Sequence, residues 1–176
     1  QKFVNSYLMD IDHFIPQTER PDLVYEWTNL FPADHHANMM KPRSTPAGGY
    51  LNPCDEIDNV ETDITYSLSP FGVAPHFEAT CINNPKAVNT SQLLMYLHNG
   101  NNTYTQKVTA TLREAIRKKY LKILHKIVIW ADADTSPQEK SHVEVELKQM
   151  LSRASSFSML CRSIPAVRQL PSYFFD

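Results

Sequence analysis

Three short stretches carry side chains suited to hydrolytic chemistry: Asp10-Ile11-Asp12-His13, Asn29-Leu30 and Asn38-Met39-Met40-Lys41. An imidazole, with an unperturbed pKa of about 6.5, accepts a water proton near neutral pH, so His13 is the candidate general base. The carboxylate of Asp12 and the amide oxygen of Asn38 are two hard oxygen donors. Such a pair suits Mg2+ or Mn2+ and leaves coordination positions for water and substrate. Lys41 can meet an anionic substrate as a point charge. Asp10 stands where it can support the site from behind. His35 and His36 are additional candidate ligands, of which only one can face a metal. An isolated Asp-His pair is a common surface feature, so the weight lies on the combination.

These groups need elements to position them. Residues 7–15 alternate apolar and polar side chains around Leu8, Asp10, Asp12 and Phe14, which predicts a strand stopped by Pro16. After a loop over 17–21, the stretch from Leu23 to Phe31 predicts a second extended segment ending at Pro32, with Tyr25 and Trp27 in the core. Asp34 is a plausible N-cap for a short helix through Met40, ended by Pro42. The segment 44–59 is rich in Pro, Gly and Asp, and Ile64–Leu68 with Val73–Phe77 flank a Ser-Pro-Phe-Gly turn as a hairpin. The second half is helical. Thr90 is positioned to cap a helix through His98, and Tyr104 to Trp130 carries apolar residues at helical spacing. Ser136-Pro137-Gln138-Glu139 is a start signal for a helix running to about Leu151.

The three stretches resemble the HNH, or ββα-metal, nuclease motif: an acid-His pair ending the first strand, an Asn-Leu in the second, and a His or Asn on the following helix. The HNH domain of RNA-guided DNA nucleases is similar in its Asp-x-Asp-His start, in the nine-residue step from Asn29 to Asn38, and in a lysine three residues further on. The resemblance implies phosphodiester hydrolysis, with Asp12 and Asn38 as metal ligands, His13 activating water, and Asn29 holding the loop that orients the histidine. Further along, Tyr25-x-Trp27-x-Asn29-Leu30, Tyr50-Leu51-Asn52-Pro53, Lys86-Ala87-Val88-Asn89-Thr90 and a basic helix with Arg113 are similar to PtuB-type HNH proteins. Those act with an ATPase partner in Septu and retron-linked anti-phage defence, so a partner ATPase is expected here. Many of that group carry paired cysteines near the motif, and the positions around Ala33 to Asn38 lack them.

The expected fold class is therefore α+β: a ββα core over 1–60, then a β-hairpin and a mainly helical extension over 61–176, packed as one structural unit. With 176 residues and 42% hydrophobic content the chain can bury a real core. It shows no apolar run of the roughly 20 residues that span a bilayer. Three widely spaced cysteines argue against a disulfide framework and point to a reducing, cytoplasmic setting. Opening on Gln1, the sequence leaves room for an upstream segment. A net charge of −2 excludes a global basic field, so a polyanion must be held locally. Arg113, Arg117, Lys118, Lys119 and Lys122 form the basic stretch available for nucleic acid, with DNA expected ahead of RNA. A solvated helix face is the plainer reading of such a run. The competing functions are a non-catalytic helical adaptor that uses this stretch, and an RNA-directed nuclease with the same centre.

Overall fold

A computed structural model of the chain describes residues 9–68 and 74–175, an α+β arrangement with two small two-stranded sheets and a helical second half. The described residues divide into two compact units, one of residues 9–65 and 77–108, the other of residues 66–68, 74–76 and 109–175. The expected boundary at residue 60 falls inside the first unit.

In that first unit, strand β1 (Met9–His13) pairs antiparallel with β2 (Leu30–Asp34), in a register that sets Asp12 opposite Phe31 and His13 opposite Leu30. Helix α1 (His35–Met40) follows directly. Asp34 caps it as expected, its carboxylate accepting from the His36 and Ala37 amides at 3.1 Å each. The second strand starts seven residues later than the Leu23 predicted from sequence. Residues 21–23 and 27–29 form tight 3-10 turns instead, and the strand runs through Pro32. A proline is tolerated there because each member of a two-stranded ladder has an open edge that needs no N–H partner. The turns also turn Tyr25 and Trp27 outward, 93% and 83% exposed, so neither belongs to the core. Phe14 and Phe31, with ring centroids 5.6 Å apart, pack in their place.

The loop after α1 is tied to helix α3 (Pro85–Asn99). Asn89 donates to the carbonyls of Ala47 and Gly49 at 2.9 Å, and the Thr90 hydroxyl accepts from Leu51 N at 2.8 Å. The Lys86 ammonium pairs with the nearly buried Asp58 at 2.9 Å. Gly48 is required where this loop meets the helix start: its φ is +91°, and a Cβ there would lie 2.7 Å from Pro85 Cβ. Helix α3 begins earlier than predicted, because Asn84 caps it and Pro85 occupies the first turn. Thr90 is thereby freed to hold the loop. Helix α2 (Val60–Asp63) leads into β3 (Ile64–Ser67), which pairs with β4 (His76–Ala79). The predicted turn from Ser69 to Gly72, and Val73, lie outside the described residues.

Within α3, His98 is largely buried, its ring 4.7 Å from that of Phe77, with Nδ1–H donating to Leu94 O at 2.9 Å. Burial pushes its pKa below the ordinary histidine value. A lowered folded pKa means that the unfolded chain binds more protons, so this contribution is fully present above about pH 6.5 and is lost as pH falls through the folded value. We expect the melting temperature to drop between pH 7.5 and 5, and His98→Phe to flatten that dependence. An unchanged slope in thermal melts would show that the ring protonates without penalty.

The second unit is built on α5 (Ala110–Ala131) and α6 (Pro137–Leu151). The predicted single helix from Tyr104 is broken into α4 (Thr103–Val108) and α5, with the buried Thr109 between them. Helix α6 starts where expected, Ser136 accepting from Glu139 N at 3.2 Å. The C-terminal stretch folds back as α7 (Ser158–Arg162), α8 (Pro165–Arg168) and a final 3-10 turn. Its Cys161, Ile164, Val167, Leu170 and Phe174 join Tyr120, Ile123, Val143, Leu147 and Leu151 in one core. Cys161 lies inside this core, where burial pushes its thiol up to about 11, so it is an inert apolar filler.

Candidate functional site

Strand and helix periodicities bring two polar stripes together in the first unit. Asp10 and Asp12, two residues apart, share a face of β1; His35, Asn38 and Lys41 recur at three-residue steps along α1 and its C-cap. Asp10 accepts from Asn38 Nδ2 at 3.0 Å and lies 3.0 Å from His35 Nδ1. The Asn38 hydrogen bond first, and then that of His35, hold the Asp10 carboxyl below the usual carboxylate range. Because a carboxylate accepts and does not donate, the atom that Asn38 turns to Asp10 must be its amide nitrogen. Its amide oxygen is therefore left as the free end of the side chain.

Lys41 is engaged differently from the expectation of a phosphate-binding charge. Its ammonium donates to Asp12 Oδ2 at 2.6 Å, to His13 O at 2.7 Å and to Phe14 O at 3.4 Å. Only 13% of the side chain is exposed, so the charge is committed within the fold. It ties the C-terminal end of α1 to the end of β1 and leaves the second Asp12 oxygen for other work.

His13 lies at the end of β1 with Nε2 3.0 Å from Val24 O. A carbonyl can only accept, so Nε2 carries a proton, and in the neutral ring Nδ1 is then the nitrogen with the lone pair. Gln17 Nε2 stands 3.1 Å from Nδ1 and 3.2 Å from Nε2, and as an N–H donor it can be accepted only by Nδ1 in this tautomer. Asn29, which is 4% exposed, bonds the chain on either side of the contact between His13 and Val24, at Ile15 and at Leu23. Asn29 Oδ1 accepts from Ile15 N at 2.8 Å, and its Nδ2 donates to Ile15 O at 3.1 Å and Leu23 O at 3.3 Å. Asn29 is thus a positioning residue: it staples the chain after His13 to the chain before Val24, and reaches the histidine through that loop.

Asp12, His13, Gln17, Asn38, Lys41 and Arg43 line one open cleft of about 310 Å3. His35 and His36 are not among its lining residues: His35 is exposed on Asp10, and His36 stands beside the helix cap at 3.9 Å from Asp34. Among the described residues, no three His, Cys, Asp or Glu side chains converge as a metal-binding group. Asp12 and Asn38 alone fit a hard divalent ion, as one carboxylate and one amide oxygen with the rest of the shell open. No protein-family model, curated protein or solved structure matches this chain.

The basic stretch proves not to be one surface. At about 100° per residue, helix α5 spreads its charges around its circumference. Lys119 turns inward, donating to Ser155 Oγ at 2.8 Å and to the Ser156 carbonyl. Arg117 bonds Glu114 at 2.8 Å with Lys118 3.8 Å from the same carboxylate, and Arg113 donates to the Thr109 hydroxyl. Lys122 remains exposed. Gln17, Thr18 and Arg43 line the cleft without having been singled out from sequence. Arg43 follows Pro42, which adjoins Lys41, and Gln17 follows Pro16, three residues past His13, a weak signal in both cases.

Proposed function

We propose that the protein is a divalent-metal-dependent endonuclease of the HNH type, hydrolysing nucleic-acid phosphodiester bonds at the Asp12–His13–Asn38 cleft. The observation that carries this reading is the histidine whose Nε2–H is committed to Val24 O, so that Nδ1 is the proton acceptor, in the same cleft as two hard oxygen donors. His13 takes the proton of the attacking water at Nδ1, for which Gln17 must turn aside, and as the water oxygen bonds to phosphorus the P–O bond to the departing oxygen breaks and that oxygen takes a proton from solvent. Asp12 and Asn38 would hold Mg2+ or Mn2+, which would supply neutralisation of the charge that develops on the phosphate oxygens. Asp10 fixes the Asn38 amide so that its oxygen serves the metal. DNA is the favoured substrate. A defence role under a partner ATPase rests on the Tyr50–Pro53 and Lys86–Thr90 resemblance. In the fold these stretches serve at least as a mutual clamp, through Leu51 and Thr90.

The test is cleavage of plasmid and of RNA by the purified chain, alone and with its ATPase, with Mg2+ or Mn2+ and with EDTA. Cleavage that EDTA abolishes is expected. Asp12→Asn and Asn38→Ala should weaken metal affinity by about 10–100-fold, so that activity lost at low metal returns with excess Mn2+. Cleavage indifferent to EDTA would sink the metal assignment, and none under any of these conditions would favour the non-catalytic adaptor.

A further inference from the structure

Two cations stand on the walls of the cleft, and they differ in what holds them. Lys41 is mostly buried and donates to Asp12 and to the carbonyls of His13 and Phe14. Arg43, two residues on, is exposed, and among the described residues no hydrogen bond or ion pair engages its guanidinium. Pro42 between them ends the helical path, so the two side chains do not continue one stripe. An unpaired guanidinium keeps its planar fork of donors available for a phosphate, whereas an ammonium already shared among a carboxylate and two carbonyls has no such capacity.

From this contrast, and resting on the nuclease reading above, we infer that Arg43 is the residue that grips the substrate's phosphate backbone. Lys41 is a positioning residue that holds Asp12 and the end of β1. The arrangement also fits an acidic chain, net charge −2, in which the polyanion must be held by few local charges.

The experiment measures binding of a fluorescent DNA oligonucleotide to the full chain by anisotropy, in EDTA so that no cleavage occurs, across a salt series. Arg43→Gln should weaken binding about 3–10-fold and lower the slope of log K against log salt by about one, since one phosphate contact is lost. Arg43→Lys should keep the slope. Lys41→Met should leave the slope at the wild-type value while cleavage in Mg2+ falls. The inference is overturned if Arg43→Gln binds as wild type does with an unchanged slope, or if Lys41→Met is the variant that lowers it. Wild-type cleavage separates the two readings. A chain that cleaves DNA while Arg43→Gln leaves binding unchanged refutes the role of Arg43 alone. Binding that depends on Arg43 without any cleavage keeps the phosphate site and refutes the nuclease. A wild-type chain that neither binds nor cleaves refutes both.

Discussion

His13→Ala should lower cleavage by about 10²–10⁴-fold, the range that a positioned general base contributes, and leave the fold standing. The ring makes one hydrogen bond to the backbone, at Val24 O, and it is half-buried at a strand end. Its loss costs about 1 kcal/mol, a shift of roughly 2–4 °C in melting temperature for a chain of this size. Added imidazole should restore part of the activity, because the cleft is open and the missing function is a lone pair near pH 7. Cleavage and circular-dichroism melts on the same preparation check this. A variant with full activity would remove His13 from the chemistry and with it the proposed mechanism.

The second large effect belongs to a residue outside the cleft. Asn29→Ala deletes the acceptor for Ile15 N and the donor to the Ile15 and Leu23 carbonyls, in a position 4% exposed. Leu23 O keeps the Glu26 amide at 3.2 Å, so the part-buried N–H and C=O of Ile15 are the groups that lose a partner, and a loss of roughly 1–3 kcal/mol is expected. The same change removes the side-chain ties between Ile15 and Leu23, next to Val24, while the backbone bonds of the turn remain, so we expect the Val24 carbonyl to hold His13 less firmly. At 10 °C, where melts show the variant to be folded, cleavage should still be lower by about tenfold or more. If the variant is destabilised yet cleaves normally at that temperature, His13 is oriented without the loop, and Asn29 has a structural role alone.

Much of the site's local scaffold was legible in the linear order of residues. The alternation around Asp10 and Asp12 marks a strand, Asp34 marks a helix start, and Ser136-Pro137 marks another, and each appears where these local rules place it. Such features depend on φ preferences and hydrogen bonds a few residues apart, which a sequence states directly. Tyr25 and Trp27 were misread for the complementary reason. An aromatic side chain is apolar anywhere, and whether it is buried depends on turns at 21–23 and 27–29 that carry little sequence signal. The helix expected from Tyr104 onward failed similarly: apolar spacing continues across Thr109, while the backbone breaks there.

What the sequence determined by itself is the set of side chains from Asp10 to Lys41 and the strand and helix that carry most of them, because residue identity and short-range periodicity suffice for both. The tertiary structure decided which of those groups meet. It paired Asp10 with Asn38 and Asp12 with Lys41, kept His35 and His36 out of the cleft lining, and left Arg43 without a partner among the described residues. It also supplied the Val24 carbonyl that selects the His13 tautomer, a backbone atom that every sequence contains and that only chain packing can aim. Contacts across 11 to 29 residues depend on the register between elements, and no local preference encodes that register.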